Sequence, residues 1–418
     1  MPSSGHGVME GHRTQNRDRM TATPAARSSE IRALTGLRGV AALFVVLYHA
    51  TGYFRFPDPW QHYVRHGYIS VDLFFVLSGF VMAMTYGKLF DTGFQWPNFR
   101  KFILMRVARV WPLFALMTLI TAALIPTVLG TRYYAEDVWH GLLPNLTMTQ
   151  AWGLANSIVR PSWSISTEWA AYLVFPLLVI AALKGSWQRA LLWTGLAAGL
   201  LAFVAYGPLW FGQTIRRSGP LDIAASYASG TLLRCLLSFF IGMVAYRFRA
   251  LVPARAAVLF LVASLLLIAW RPSDLILVGL FTGLIMALSD DEGPVARMLS
   301  WRPVYLIGVW SYAIYLIHDV VLFGTFRTLP KFDLSLPGER VHWLMAAIAI
   351  TVVLSALAHY GFEKPSRDGL RRLISRWTAR KPELHAVAGD LPAEPSPTTA
   401  GPAADLAELP VSAAKSRR

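Results

Sequence analysis

Long apolar segments, separated by short polar loops, recur along almost the whole chain. A helix that crosses the hydrocarbon core of a bilayer needs about 20 predominantly apolar residues. The pattern predicts an all-α membrane bundle of about ten helices, because a helix satisfies its backbone polar groups internally. The predicted spans are 34–53, 67–86, 105–129, 166–183, 190–207, 229–246, 254–270, 273–289, 304–324 and 343–362.

The composition supports a membrane protein and excludes a single soluble domain. Hydrophobic residues make up 55% of the chain and charged residues 15%, whereas a soluble domain carries about 25% charged residues. The one cysteine, Cys235, excludes an intrachain disulfide and a cysteine-based zinc site. Only Arg271-Pro272-Ser273 separates the seventh and eighth spans, which predicts a tight helical hairpin there.

The two ends of the chain differ from its middle. Residues 1–30 are polar and lack the apolar core of a secretory signal peptide, and Met20 is a candidate for the true start. Residues 367–418 begin with a basic stretch that suits anionic lipid headgroups and continue as a tail with the composition of a disordered segment. We therefore expect a membrane domain over 31–366 between two cytoplasmic tails.

The net charge is +15, and the distribution of the basic residues along the chain determines the expected topology. A basic balance often indicates a nucleic-acid partner, but here the basic residues lie beside apolar spans, so we expect the lipid bilayer and no nucleic acid. Ten spans place both termini on one side. The segments on that side carry most of the Lys and Arg residues, which predicts that both termini are cytoplasmic.

Ionisable residues inside the spans are costly and mark functional sites. Arg38 and His49 are eleven residues apart in the first span, which places them within roughly 20° on one helix face and roughly 16 Å apart along the axis. Arg38 is expected in the inner half and His49 toward the outer half. The alternative is a structural pair that fills bundle contacts.

The second and third spans add an acidic residue and a basic pair. Asp72 is expected near the outer face, where its charge needs a partner, while Ser78-Gly79 indicates close helix packing. Arg106 and Arg109 share a helix face at the cytoplasmic entrance, where two guanidiniums suit a phosphate. Ordinary positive-inside anchoring is the alternative for the arginine pair.

The loop before the fourth span ends in a polar and aromatic segment, residues 161–169. Glu168 is predicted in the first helical turn, where the helix dipole favours an acidic residue. Trp163 and Trp169 are consistent with interface anchors. Together with Ser164 they also place a carboxylate, a hydroxyl and aromatic faces at the outer mouth, which suits a carbohydrate.

The ninth and tenth spans carry the last candidates. Tyr315 shares a helix face with Tyr312 and Asp319, and His318 lies on a flanking face, as readily a satisfied bundle residue as a catalyst. The tenth span ends at Glu363-Lys364-Pro365, where proline is expected to stop the helix.

In this order, the motifs resemble the acyltransferase-3 family of integral membrane acyltransferases, which acylate surface polysaccharides, lipopolysaccharide and some secondary metabolites. The resemblance covers about residues 31–366. It is carried by Arg38-x10-His49, Asp72-Leu-Phe-Phe-Val-Leu-Ser-Gly-Phe80, Arg106-x-x-Arg109, Pro161-Ser-Trp-Ser-Ile-Ser-Thr-Glu-Trp169, Ser311-Tyr-Ala-Ile-Tyr-Leu-Ile-His318 and Glu363-Lys-Pro365.

The resemblance implies a bacterial inner-membrane O-acyltransferase in which Arg38 and His49 are essential and Arg106 and Arg109 handle acyl-CoA. Our hypothesis is that acyl-CoA, with acetyl-CoA the expected donor, docks from the cytoplasm with its phosphates on the arginine pair, while Arg38 lines the path. His49 then acts as general base on a hydroxyl, or briefly carries the acyl group. Asp72 or Glu168 orients His49 or balances its charge.

The expected acceptor is a glycan or glycolipid at the outer face. Trp163 and Trp169 would stack on its sugar, and Ser164, Tyr315 and His318 would complete the acceptor site. We expect no metal and no bound cofactor, with acyl-CoA as co-substrate. Some family members carry a further extracytoplasmic transferase domain; this chain has no room for one, so a partner for polysaccharide assembly is expected to be separate or unnecessary.

Two other functions, a transporter and a non-catalytic scaffold, are alternatives to an enzyme. A transporter or flippase for a polar or lipid-linked glycan would also place charges in its spans, but the sequence lacks the internal repeat common in transporters. A non-catalytic scaffold leaves Arg38 and His49 without a role. Hydrolysis of acyl-CoA that depends on His49 would separate the enzyme from both alternatives.

Overall fold

The computed structural model describes residues 30–130, 137–207, 218–223, 229–332 and 340–379. These residues are almost entirely helical, as predicted. The α-helices are α1 (Arg32–Ala50), α2 (Trp60–Arg65), α3 (Ser70–Tyr86), α4 (Trp96–Leu124), α5 (Val138–Leu146), α6 (Trp163–Leu183), α7 (Trp187–Tyr206), α8 (Ser229–Phe248), α9 (Ala256–Leu267), α10 (Asp274–Ala287), α11 (Gly293–Leu299), α12 (Arg302–Phe323), α13 (Arg340–Ala358) and α14 (Lys364–Ala379).

Eight helical segments of the described chain are long and apolar enough to cross a membrane. The seventh and eighth predicted spans correspond to the shorter apolar helices α9 and α10, of 12 and 14 residues. These two helices pack against each other across the turn at 271–273, so the predicted hairpin is confirmed. Large apolar side chains such as Leu192 (70% exposed) and Leu266 (71% exposed) cover the outer surface, which suits contact with lipid.

The end of the tenth span differs from the prediction. Proline was expected to stop the helix, but α13 continues through a π-helical turn, His359–Glu363, directly into α14. Pro365 is the second residue of α14. The π-helical turn directly before it alters the regular hydrogen-bond pattern of the helix and so accommodates a residue without an N–H. The helical segment therefore runs from Arg340 to Trp377.

The chain has two compact units, a large one that ends at Ile374 and a small one, Ser375–Arg418. The small unit is described only from Ser375 to Ala379, where it is helical. The predicted N-terminal tail lies outside the described residues, as does most of the predicted C-terminal tail. The proposed division into two tails and a membrane domain over 31–366 stays a prediction.

Close backbone contacts between α1 and α12 position the polar residues of both helices. A Cβ atom on Gly39 would lie 2.5 Å from the backbone nitrogen of Gly308, and one on Gly308 would collide with the carbonyl of Thr35. Glycine at both positions lets the two backbones meet, as small residues do in membrane helix pairs. The two helices run in the same direction, because Arg38 contacts Ser311 and His49 contacts His318.

Candidate active site

A cavity of about 330 Å³ lies among α1, α3, α4, α6 and α12 and is also lined by Arg371 of α14. Its volume falls at the lower end of the range for ligand pockets, about 300–1,000 Å³. Arg38 reaches it from α1, with its guanidinium donating to the Ser311 hydroxyl at 3.2 Å and to the Gly308 carbonyl at 3.2 Å. Six of the predicted site residues line this cavity, namely Arg38, Arg106, Arg109, Ser164, Glu168 and Tyr315.

Arg106 is held by a chain of hydrogen bonds that ends on Glu168. Its guanidinium donates to the Tyr172 hydroxyl at 3.1 Å and lies 4.8 Å from the centre of that ring. The Tyr172 hydroxyl in turn donates to the Glu168 carboxylate at 2.5 Å, and the Ser78 hydroxyl donates to the same carboxylate. Glu168 therefore lies in the cavity with the arginines and contacts neither histidine.

The position of Glu168 on its helix also differs from the prediction. α6 begins at Trp163 and follows a short 3-10 turn, so Glu168 lies beyond the first turn. The helix dipole acts mainly on the first turn. The hydrogen bonds from Ser78 and Tyr172, rather than the helix terminus, account for a carboxylate at this depth.

Arg109 has a carboxylate partner, unlike Arg106. It forms an ion pair with Glu363, which is buried and also bonds the Nδ1 atom of His359 at 2.9 Å. The Arg109 guanidinium lies 5.6 Å from the centre of the Tyr312 ring. The two arginines share one cavity, as their spacing predicts, but Glu363 offsets much of the charge of Arg109.

His49 and His318 form a pair just beyond the cavity. His49 Nδ1 is 3.2 Å from His318 Nε2, and the ring centres are 5.0 Å apart. Neither histidine lines the cavity, but Tyr315 does, and its ring centre is 6.0 Å from that of His318. His49 is partly exposed, whereas His318 is fully buried.

Backbone carbonyls determine where both histidines carry a proton. His49 Nδ1 is 3.0 Å from the Val45 carbonyl, and His318 Nδ1 is 3.0 Å from the Ile314 carbonyl. A carbonyl oxygen only accepts, so each Nδ1 carries a proton, and in the neutral form of each ring Nε2 is the unprotonated nitrogen. The Nδ1–H of His49 is then shared between the Val45 carbonyl and His318 Nε2. The Nε2 lone pair of His49 is left available to take a proton from a substrate.

Asp72 belongs to a buried ion pair and does not contact His49. Arg234 of α8 donates to both of its carboxylate oxygens, at 2.6 and 3.0 Å. Asp72 is 0% and Arg234 1% exposed, and the arginine also donates to the Ile223 carbonyl at 3.0 Å. The prediction that Asp72 needs a charged partner is confirmed, and the partner, Arg234, lies within the predicted span 229–246.

Only some of the predicted acceptor residues line the cavity. Ser164 and Tyr315 line the cavity, with their hydroxyls 2.7 Å apart and the Tyr315 hydroxyl donating to the Pro161 carbonyl at 3.0 Å. Trp163 is buried beside Arg234, and Trp169 packs against Tyr172, so neither ring lines the cavity. Their role in stacking on a sugar stays a prediction.

Several cavity residues were not predicted as site residues, among them Tyr172 and Arg371. Tyr172 lies four residues after Glu168, one helical turn away on the same face, and that spacing could have identified it. Arg371 was taken only as part of a basic stretch, because the helix was expected to end before it. In the described part of the chain, no three His, Cys, Asp or Glu side chains are grouped as metal ligands would be.

The comparison with known families agrees with this arrangement. The sequence profile of the acyltransferase-3 family, described as an acyltransferase domain, matches residues 31–360. The chain therefore belongs to this family and is a multi-pass membrane acyltransferase. No solved structure matches it significantly.

Three relatives illustrate how far the similarity extends. The chain is 27% identical to acyltransferase MdmB of Streptomyces mycarofaciens, over 85% of this chain and 96% of that protein. It is 25% identical to the putative peptidoglycan O-acetyltransferase YrhL of Bacillus subtilis, over 83% of this chain and 56% of that protein. It is 23% identical to peptidoglycan O-acetyltransferase OatA of Listeria monocytogenes, over 81% of this chain and 56% of that protein. The chain thus spans nearly all of the first relative but little more than half of the other two.

Proposed function

We propose that this acyltransferase moves an acyl group, expected to be acetyl, from acyl-CoA at the arginine end of the cavity to a hydroxyl group presented at the His49 end. The observation that carries the proposal is one cavity that contains Arg38, Arg106 and Arg109 and ends at Tyr315, directly beside the histidine pair. Guanidiniums suit the phosphates of the donor. A neutral histidine with an available Nε2 suits the removal of a proton from a hydroxyl group.

The reaction follows from the tautomer of His49. Its Nε2 takes the proton of the acceptor hydroxyl while the hydroxyl oxygen attacks the thioester carbonyl carbon. The carbon–sulfur bond then breaks, and the CoA sulfur receives the proton from the His49 imidazolium. The products are an ester and CoA with a free thiol. The Val45 carbonyl and His318 Nε2 both accept the Nδ1–H of His49, which keeps that ring in the required tautomer.

The proposed topology places the arginine end on the cytoplasmic side of a bacterial inner membrane, where acyl-CoA is available. The Lys and Arg residues of the predicted inner segments support this orientation. The acceptor would then approach from the outer side, where His49 is partly exposed. Tyr315 lines the cavity next to His318, so the acyl group would pass this side chain on its way to His49.

We further propose a glycan or glycolipid as acceptor. The names of the two peptidoglycan O-acetyltransferase relatives support this class. Because the chain spans 56% of either protein, its acceptor and any partner in polysaccharide assembly do not follow from those names. The similarity to the full length of an acyltransferase supports chemistry within the membrane bundle alone.

The test compares surface glycans of cells that carry the wild-type protein, His49→Ala or His140→Ala, by mass spectrometry. His140 is a matched control, because its side chain is 89% exposed and does not line the cavity. We expect an acyl mass on the glycans with the wild-type and His140→Ala proteins and its loss with His49→Ala. Acylated glycans at wild-type level in cells with His49→Ala would refute the role of the histidine.

A further inference from the structure

A second pocket of about 540 Å³ adjoins the cavity at the start of α14. It is lined by Tyr360, Lys364, Pro365, Asp368, Arg371 and Arg372. Arg371 lines both spaces, so the pocket and the cavity are neighbours on either side of this side chain. The two spaces together can hold a ligand longer than the cavity alone.

The pocket is strongly basic because of the spacing of residues along one helix. Lys364, Asp368, Arg371 and Arg372 follow at intervals of four, three and one residues, which places them on one side of α14. Lys364 and Arg372 are exposed, and within the described ranges neither forms an ion pair. The single acidic residue, Asp368, accepts a hydrogen bond from Arg367 at 3.2 Å.

The arginines of the cavity have more protein partners than Lys364 and Arg372 have. Arg109 is paired with Glu363, Arg106 donates to Tyr172, and Arg38 donates to α12. Several phosphate charges would therefore be better compensated by the cations of α14 than by the cavity arginines alone. Tyr360, which is 52% exposed, adds an aromatic face at the same place, and aromatic rings stack favourably on nucleobases.

We propose that this pocket binds the 3′-phosphorylated adenosine diphosphate part of acyl-CoA. The 3′-phosphate lies on Lys364 and Arg372, and the base lies against Tyr360. Arg371 marks the junction at which the pyrophosphate meets the cavity arginines and the pantetheine arm enters the cavity. This assignment rests on the proposed function for its donor. It gives the helix beyond Pro365 a binding role and extends nucleotide recognition beyond the cavity arginines.

The experiment uses the full-length protein in nanodiscs of phosphatidylcholine and measures the affinities of CoA and of 3′,5′-adenosine bisphosphate by calorimetry. Lys364→Ala with Arg372→Ala should weaken both by about 10- to 100-fold, because two charge-assisted contacts are lost. Arg297→Ala with Arg302→Ala is the control. It removes two exposed charges on the same predicted side of the membrane, from residues that line neither space, and should leave both affinities unchanged.

A separate readout distinguishes this proposal from the proposed function. S-acetylpantetheine lacks the nucleotide, so its turnover should be the same in the wild-type protein and the Lys364→Ala, Arg372→Ala variant, and should be lost in His49→Ala. Equal affinity of the wild-type protein and the α14 variant for 3′,5′-adenosine bisphosphate would overturn the nucleotide site even if acyl transfer is confirmed. A clear loss of that affinity, with no turnover of either donor, would support the site and refute the transfer reaction.

Repeating the measurement in nanodiscs of phosphatidylglycerol tests the competing ligand, an anionic lipid headgroup. The proposal expects the substitutions to weaken nucleotide binding in both lipids. Substitutions that alter only the association with phosphatidylglycerol, with unchanged nucleotide affinity, would assign the basic face of α14 to the lipid and overturn the proposal.

Discussion

The substitution Gly39→Ala tests whether close packing of α1 on α12 positions His49, the proposed general base. The added Cβ would lie 2.5 Å from Gly308 N, 2.9 Å from its Cα and 3.0 Å from the carbonyl carbon of Ile307, whereas ordinary contacts begin at 3.4 Å. All three atoms are backbone, so no side chain can rotate away. The helices must separate locally by about 0.9 Å, the difference between 3.4 and 2.5 Å.

A local separation of α1 from α12 should also increase the distance between His49 and His318, which lie on the same two helices. His49 Nδ1 and His318 Nε2 are 3.2 Å apart, and a hydrogen bond is lost beyond about 3.5 Å. A misplacement of about 1 Å can cost about 100-fold in rate, while overpacking costs about 1–3 kcal/mol of stability. We expect Gly39→Ala to remain folded in detergent and to transfer acyl groups about 100-fold more slowly.

The assay is the initial rate of acyl transfer by the purified protein, with the melting temperature measured in parallel. Gly195→Ala on α7 is the matched control, since nothing lies within 4 Å of a Cβ atom there and alanine favours the helix. Its rate should equal that of the wild-type protein. A wild-type rate for Gly39→Ala would show that the contact between α1 and α12 does not position His49.

Two further variants distinguish a residue that stabilises the fold from residues that bind the donor. Asp72→Asn leaves the buried Arg234 without its counter-charge and should lower stability by about 3–5 kcal/mol, measured as a loss of melting temperature; a melting temperature within error of wild type would contradict the ion pair. Arg106→Ala with Arg109→Ala should weaken CoA binding by about 10- to 100-fold without changing acceptor affinity. An unchanged dissociation constant for CoA in calorimetry would exclude the arginine pair from donor binding.

The helices could be predicted because bilayer length imposes a strong signal on the sequence. Apolar runs and their interruptions located α1, α3 and α12, and the spacing of Arg106 and Arg109 predicted that they share one surface. The helix beyond Pro365 was missed because a proline in a helical pattern usually ends the helix. Here a π-helical turn precedes the proline and accommodates it, so the helix continues.

The partners of the polar residues were harder to predict. Asp72 pairs with Arg234, which is far away in sequence, and helical spacing says nothing about contacts between helices. Ser78 was interpreted only as part of a packing site beside Gly79, yet its hydroxyl donates to Glu168. The contact between His49 and His318 likewise depends on the register of α1 against α12, which the glycine contacts determine only in three dimensions.

In the proposed reaction, a donor on one side of the membrane acylates an acceptor on the other, through His49. The direct measurement uses vesicles in which the protein has one orientation, with radiolabelled acetyl-CoA on the side of Arg106 and soluble glycan on the side of His49. We predict labelled glycan on the His49 side with the wild-type protein and none with His49→Ala. Label that forms only when glycan and acetyl-CoA share the compartment of the arginines would contradict the account and move the chemistry to Arg38 and the cavity itself.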